Sequence, residues 1–264
     1  MDKNNEQKLL DLVTKWTDFF KFRKDFDEWK NKRIWQENYQ QHTIGFLEEI
    51  IPDLRDKKIL DLGCGMGGLL IAFKKEGFNA IGLDSNLDYC EIARLRGKRY
   101  NLNVEIINSE AEDMPIQSAS FDLIVCKDTI EHVQNPMQVL NECKRILKKN
   151  GQIFINATNR FSYIDPHYHL RFLNWLPRTM GNFIAEKISK KDVKIFKDNQ
   201  KLCDMHYFTI RSFEAMIKKV GFLNFLNLTK KEVENKKMFF TKIPVLKAIF
   251  LNLYLSSWKY FLTK

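Results

Sequence analysis

Carboxylates, glycines and imidazoles follow one another along this chain in an order suited to binding a small polar ligand. Asp61 closes the apolar run Ile59-Leu60, and Gly63, Gly65 and Gly67 follow at alternate positions. Glycine lets the backbone approach a ligand that a Cβ would exclude, and it reaches positive φ without strain. A carboxylate beside such a turn repels a pyrophosphate and suits a ligand bearing an ammonium group. Asp84 ends the next apolar run, Ala80-Ile-Gly-Leu83, where an acidic side chain can hydrogen-bond both hydroxyls of a ribose. Farther on, Asp128-Thr-Ile-Glu-His132 sets two carboxylates and an imidazole at i, i+3 and i+4, which share a face if the segment is helical. Asp128, Glu131 and His132 there suit a divalent cation, with oxygen ligands favouring magnesium or manganese. His132 as a metal-free general base is the alternative. His167-Tyr-His169, just after Asp165-Pro166, adds two imidazoles flanked by Tyr163, Tyr168 and Arg171. Glu131, His132, His167 and His169 are therefore the candidate catalytic side chains.

The elements that must position these groups alternate from Lys57 onward. Strands are expected at 57–62, 79–83, 103–107, 121–126 and 151–157, and helices at 67–76, 87–99 and 136–149. Gly77 and Asn150-Gly151 supply helix stops. Apolar strands alternating with helices imply a parallel sheet covered on both faces. Residues 158–206 break the alternation and hold three of the five histidines, which reads as an insertion after the fifth strand. A helix at 209–220 follows, with Thr209 as N-cap and Gly221 as stop, then a sixth strand at 224–230 and a closing strand at 256–263. The expected fold is α/β, a Rossmann-like seven-stranded, mostly parallel sheet with helices on both faces. Residues 1–50 form an N-terminal helical extension, rich in aromatics at helical spacing, that packs on the core with a partial lid role. Ligands of such sheets bind outside the carboxyl ends of the strands, where Gly63–Gly67, Asp84, Glu110 and Lys127–His132 all fall.

The run Lys58-Ile-Leu-Asp-Leu-Gly-Cys-Gly-Met-Gly67, then Asp84, Asn108-Ser-Glu-Ala-Glu-Asp-Met-Pro115, Ser120-Phe-Asp-Leu-Ile-Val-Cys126 and Glu131-His-Val133 together resemble the class I S-adenosylmethionine-dependent methyltransferases. The resemblance covers residues 57–160 well and makes 51–264 the methyltransferase domain. It implies S-adenosylmethionine as cofactor, held by Asp61, Gly63, Cys64, Gly65, Asp84, Ser85, Glu110, Ala111 and Lys127. Asp61 would accept from the ammonium group, Asp84 from the ribose hydroxyls, and Glu110 with the Ala111 N–H would read the adenine edge. The Asp-x-x-Glu-His pattern is similar to two metal-using branches, the ubiquinone-biosynthesis O-methyltransferases and the enzymes that modify small-RNA 3′ ends. In the RNA branch a further histidine lies downstream, a role open here to His167, His169 or His206.

Composition narrows the setting. Lysine and arginine number 43 against 33 aspartates and glutamates, a net charge of +10, but the lysines are scattered rather than clustered. Nucleic acid therefore ranks below small molecules as a partner. The five cysteines form no Cys-x-x-Cys pair, which fits a reducing compartment and no zinc site. The leading residues lack an apolar signal core, so a cytoplasmic location is expected. Ile243–Leu255 is apolar nearly all round and flanked by lysines, which suits a packed helix or a peripheral membrane contact. The expectation is methyl transfer to a hydroxyl of a small molecule or glycan, with a sugar or lipid-linked saccharide leading. A quinone-like phenol, an RNA 3′-end hydroxyl and a cofactor-binding scaffold without catalysis are the alternatives.

Overall fold

Seven strands carry the fold: β1 (Lys58–Leu62), β2 (Asn79–Asp84), β3 (Ile106–Asn108), β4 (Phe121–Cys126), β5 (Leu147–Thr158), β6 (Asn224–Asn227) and β7 (Ser257–Thr263). In this computed structural model, which describes residues 3–21, 23–188, 201–235, 249–251 and 253–264, they form one sheet in the order β3-β2-β1-β4-β5-β7-β6. β1 pairs with β2 and β2 with β3 in parallel, whereas β7 runs antiparallel to both β5 and β6. Leu123, Ile124, Val125 and Cys126 of β4 are fully buried, as are Ile59, Leu60 and Leu62 of β1. Such unbroken apolar runs mark strands covered on both faces. β7 instead alternates, burying Trp258, Tyr260 and Leu262. The order reverses between β1 and β4, the switch point outside which ligands of such sheets bind.

The helices are α1 (Lys3–Thr17), α2 (Phe26–Ile34), α3 (Gln41–Ile50), α4 (Gly68–Lys75), α5 (Leu87–Arg99), α6 (Pro136–Ile146), α7 (Arg178–Ile188), α8 (Ile210–Val220) and α9 (Leu228–Asn235). The chain divides into two compact units, Met1–Val125 with Arg145–Gly151, and Cys126–Lys144 with Gln152–Lys264.

In the first unit, α1 buries Leu9, Val13 and Trp16 against Ile92 and Leu95 of α5. Arg96 of α5 is fully buried and joins three stretches of chain. It donates from Nε to the Met66 carbonyl (2.9 Å), from Nη2 to the Arg33 carbonyl (2.9 Å) and from Nη1 to the Ile34 carbonyl (2.7 Å) and the Glu37 carboxylate. The N-terminal helices are thereby tied to the glycine turn.

In the second unit, Thr209 caps α8 by accepting the Ser212 N–H, and Gly221 ends it at φ +91°. Leu173, Ala185, Leu202 and Tyr207 form a small core within the insertion.

Four elements differ clearly in their bounds from the sequence expectation. The helix from Pro136 ends at Ile146, not 149, and β5 starts at Leu147. Its last carbonyls are taken by neighbouring backbone, Ala119 N–H to Arg145 O (3.1 Å) and Ser120 N–H to Ile146 O (2.7 Å), while Lys148 pairs with Asp122 (2.8 Å). Asn150 does take a left-handed φ of +62°, but inside the strand. The sixth strand stops at Asn227, whose Oδ1 accepts the Lys230 N–H (2.9 Å) and starts α9. The third strand lies at Ile106–Asn108 rather than 103–107. Most of the apolar segment 243–255 lies outside the described residues, and its expected membrane contact with it. Among the described residues no helix is long and apolar enough to cross a membrane.

Candidate active site

The first unit holds a cradle at the ends of β1, β2 and β3. Gly63, Gly65 and Gly67 adopt φ of +72°, +53° and +81°, a left-handed zigzag that side chains resist. The Gly63 and Cys64 N–H groups both donate to the Leu83 carbonyl (2.8 and 3.0 Å), folding the turn against the end of β2. Asp84 then organises the rim. Its Oδ2 accepts the Gly65 N–H (2.8 Å) and its Oδ1 the Asn86 N–H (2.9 Å), which fixes the carboxylate at the rim. Asn108 donates from Nδ2 to the Asp84 and Ser85 carbonyls, both at 2.9 Å, stitching β3 to β2. Asp61 is buried behind the turn, Ala111 is buried, and Ser85 and Glu110 are exposed at the strand ends.

The three glycines do different work. A Cβ on Gly67 would stand 2.6 Å from the Ala93 Cβ, so that glycine lets α4 and α5 close up. A Cβ on Gly65 would meet nothing within 4 Å. The space beside Gly65, framed by Asp84, is therefore open to a ligand. Cys64 is no nucleophile: burial, reinforced by Asp61 and Asp84, pushes its thiol well above the usual range.

The second unit holds the candidate catalytic side chains named from the sequence. Residues 127–134, following β4, form turns rather than a helix, with the His132 N–H closing on the Thr129 carbonyl (2.8 Å). The shared helical face of Asp128, Glu131 and His132 is therefore absent. Asp128 takes φ +54° and accepts instead from Asn156 Nδ2 (3.1 Å). Glu131 is buried and accepts from Thr158 Oγ1 (2.8 Å), while its Oε2 has no hydrogen-bond partner. Burial pushes the Glu131 carboxyl above its ordinary range. His132 and His167 meet edge to face, their Nε2 atoms 3.3 Å apart. The His167 Nδ1 lies 2.6 Å from the Tyr207 hydroxyl, which itself donates to Asp165 Oδ2 (2.9 Å). That network assigns the His167 proton to Nδ1 and leaves its Nε2 as a lone pair.

Glu131, His132 and His167 thus present ligand atoms within 4.8 Å of one another. His169 is exposed with φ +56°, and His206 donates its N–H to the Glu131 carbonyl (2.8 Å); neither belongs to this group. Lys127 is half-buried at the head of the turn. Sequence reasoning missed Tyr207, Asp165 and Thr158 in the second unit and Asn108 in the first. The Asp-Pro-His-Tyr string carried a signal for Asp165, whose Oδ1 accepts the His167 and Tyr168 N–H groups (2.9 and 2.5 Å).

A methyltransferase domain family matches residues 60–155. The ubiquinone biosynthesis O-methyltransferase of Salmonella arizonae is 30% identical over 173 residues, covering 62% of this chain and 71% of that protein. The chain belongs to the class I S-adenosylmethionine-dependent methyltransferases. Its fold agrees with that of an S-adenosylmethionine-dependent methyltransferase from Methanosarcina mazei (TM-score 0.55, 19% identity, 81% of this chain and 96% of that one). It also agrees with a phosphoethanolamine N-methyltransferase from Haemonchus contortus bound to phosphomonomethylethanolamine and S-adenosylhomocysteine (TM-score 0.54, 16% identity, 85% and 53%). This methyltransferase is an enzyme, and S-adenosylmethionine is its cofactor. The open glycine cradle and the rim carboxylate fit that group.

Proposed function

We propose that this methyltransferase alkylates a hydroxyl oxygen of a small-molecule acceptor, a saccharide or lipid-linked saccharide, and that Glu131, His132 and His167 act on that hydroxyl. The observation that carries the reading is the 3.3 Å approach of the two imidazole Nε2 atoms beside a buried carboxylate. S-adenosylmethionine supplies an electrophilic methyl group for in-line displacement. The protein must then orient the acceptor oxygen and take its proton. Tyr207 holds the proton of His167 on Nδ1, so Nε2, which faces His132 Nε2 at 3.3 Å, is the His167 atom that would take a proton from the acceptor. Thr158 fixes one oxygen of Glu131 and leaves the other for the incoming group.

The same three side chains fit a divalent cation. Two imidazoles in three ligands favour manganese, iron or zinc over magnesium. The hydrogen bonds from Thr158 to Glu131 and between His167 and Tyr207 are the supports that orient metal ligands. A cation held there would acidify a bound hydroxyl.

Exposed Phe161, Phe172, Trp175 and Phe183 give the second unit an apolar surface that suits an acceptor with a lipid tail. The second reading is a quinone-like phenol, favoured by the name of the Salmonella relatives. Transfer of labelled methyl groups to saccharides, catechols and amines, with wild type and His132→Ala, tests both. Labelled saccharide methyl ethers support the first reading and labelled catechols the second. Labelling of amines alone, or full activity in His132→Ala, sinks the hydroxyl mechanism.

A further inference from the structure

Beside the imidazole cluster stand two arginines with no role in the chemistry above. Arg160 follows β5, where its N–H bonds the Phe208 carbonyl (2.7 Å) and its Nη2 donates to the Leu176 carbonyl (2.9 Å). Arg178 opens α7, with its guanidinium 4.2 Å from the centre of the Tyr207 ring. The Nη1 atom of each is buried and lacks a hydrogen-bond partner. Neither is ion-paired among the described residues, and the first turn of α7 has no acidic residue.

The Tyr207 ring and the Asp165 carboxylate stabilise the Arg178 cation only in part, since its pKa is still lowered. A cation at a helix N-terminus opposes the helix dipole. A second guanidinium beside it adds like-charge repulsion, and each buried N–H without an acceptor costs free energy. Burial, and for Arg178 the nearby Arg160, depress both guanidinium pKa values. A doubly charged, oxygen-rich anion accepting from these Nη1 groups would offset the charge repulsion and satisfy the orphaned donors. Guanidinium forks match phosphoryl oxygens in shape as well as charge.

We propose that Arg160 and Arg178 form a subsite for a phosphate or pyrophosphate group carried by the methyl acceptor. Tyr207 connects it to the reactive cluster: Arg178 packs on one face of the ring, and the ring hydroxyl meets His167. A sugar joined to such a group would reach His132 and His167 with its hydroxyls. The inference rests on the hydroxyl-acceptor reading and narrows it to phosphorylated acceptors.

Calorimetric titration of pyrophosphate into the full chain tests the subsite directly. Binding to wild type is expected, weakened about tenfold in Arg178→Gln by loss of a charge-assisted hydrogen bond. Arg160→Gln should weaken it similarly. Because Arg160 also holds the Leu176 carbonyl, thermal melts matching wild type verify that each variant is folded. Equal pyrophosphate affinity in wild type and Arg178→Gln, or none in wild type, overturns the subsite. So does arginine-dependent binding to phosphatidylglycerol vesicles without binding of pyrophosphate, since the site would then serve a membrane headgroup. A labelled-methyl panel offering each saccharide with and without a phosphoryl group reads the parent hypothesis separately. Equal turnover of both forms retains the hydroxyl reading and rejects the subsite, whereas pyrophosphate binding without any hydroxyl methylation does the reverse.

Discussion

His132 and His167, 35 positions apart in the chain, bring their Nε2 atoms to 3.3 Å because Tyr207 anchors the far side of His167 at 2.6 Å. Two nitrogens at that separation share a proton or a cation. Tyr207 therefore governs which tautomer His167 presents, although it holds no reacting group in the proposed chemistry.

Removing the imidazole and removing its anchor should differ in degree. His167→Ala is expected to lower kcat by about 10²–10⁴, the usual contribution of a positioned acid or base. Tyr207→Phe keeps the ring and the Arg178 contact but loses the hydroxyl, and a fall of about tenfold in kcat follows from a less fixed tautomer. KM for S-adenosylmethionine should stay unchanged in both. Steady-state kinetics with either acceptor class checks this, and an unaltered kcat in His167→Ala would exclude the cluster from the reaction.

Chelation probes the same cluster from another side. If the cluster holds a cation, in place of the proton-carrier role, a strong chelator should reduce methyl transfer without displacing S-adenosylmethionine. Manganese or zinc should restore activity better than magnesium, because two of the three ligands are imidazoles. Undiminished activity after exhaustive chelation would leave His132 and His167 as metal-free proton carriers.

Gly65 and Gly67 separate cofactor binding from packing. Both take left-handed φ, so alanine at either costs about 1–2 kcal/mol of backbone strain. Gly67→Ala must also push against Ala93, which adds about 1–3 kcal/mol of overpacking. Gly65→Ala meets no neighbour, but its methyl enters the cradle. Thermal melts should therefore show the larger loss for Gly67→Ala, and calorimetry with S-adenosylmethionine the larger loss for Gly65→Ala.

The candidate cofactor cradle was legible because its geometry is local. Gly63 to Gly67 and Asp84 sit at the ends of adjacent parallel strands, and strand-turn-helix order alone puts them together. The cluster of Glu131, His132 and His167 was legible only in its adjacent pair, Glu131 and His132. Selecting His167 over His169 depends on the turn that Asp165 builds, which aims one ring inward and leaves the other exposed. Tyr207 lies across the insertion from its partner, at a distance no periodicity reports. The expected face of Asp128 failed because the segment closes a tight turn at His132 instead of continuing into a helix. Arg96 shows the same limit: nothing in its helical context marks a cation buried enough to hold Glu37.

That buried pair contributes to the acid sensitivity of the fold. Burial pushes the Glu37 carboxyl up, but the charge of Arg96, with hydrogen bonds from the backbone, Tyr100 and Arg96, outweighs it and leaves the pKa lowered. A carboxylate whose folded pKa lies below its ordinary value of 4.5 stabilises the fold above that pH. The contribution disappears as pH falls from 4.5 through the folded value. Urea melts at descending pH should therefore lose stability more steeply in wild type than in Glu37→Gln, which carries no titrating group there. At neutral pH, Glu37→Gln leaves Arg96 buried without its counter-ion and should cost about 3–5 kcal/mol. Because Arg96 also holds the Met66 carbonyl of the glycine turn, Arg96→Met should weaken S-adenosylmethionine binding along with the fold. A Glu37→Gln variant with wild-type stability at neutral pH and an unchanged acid limb would remove the pair from this role.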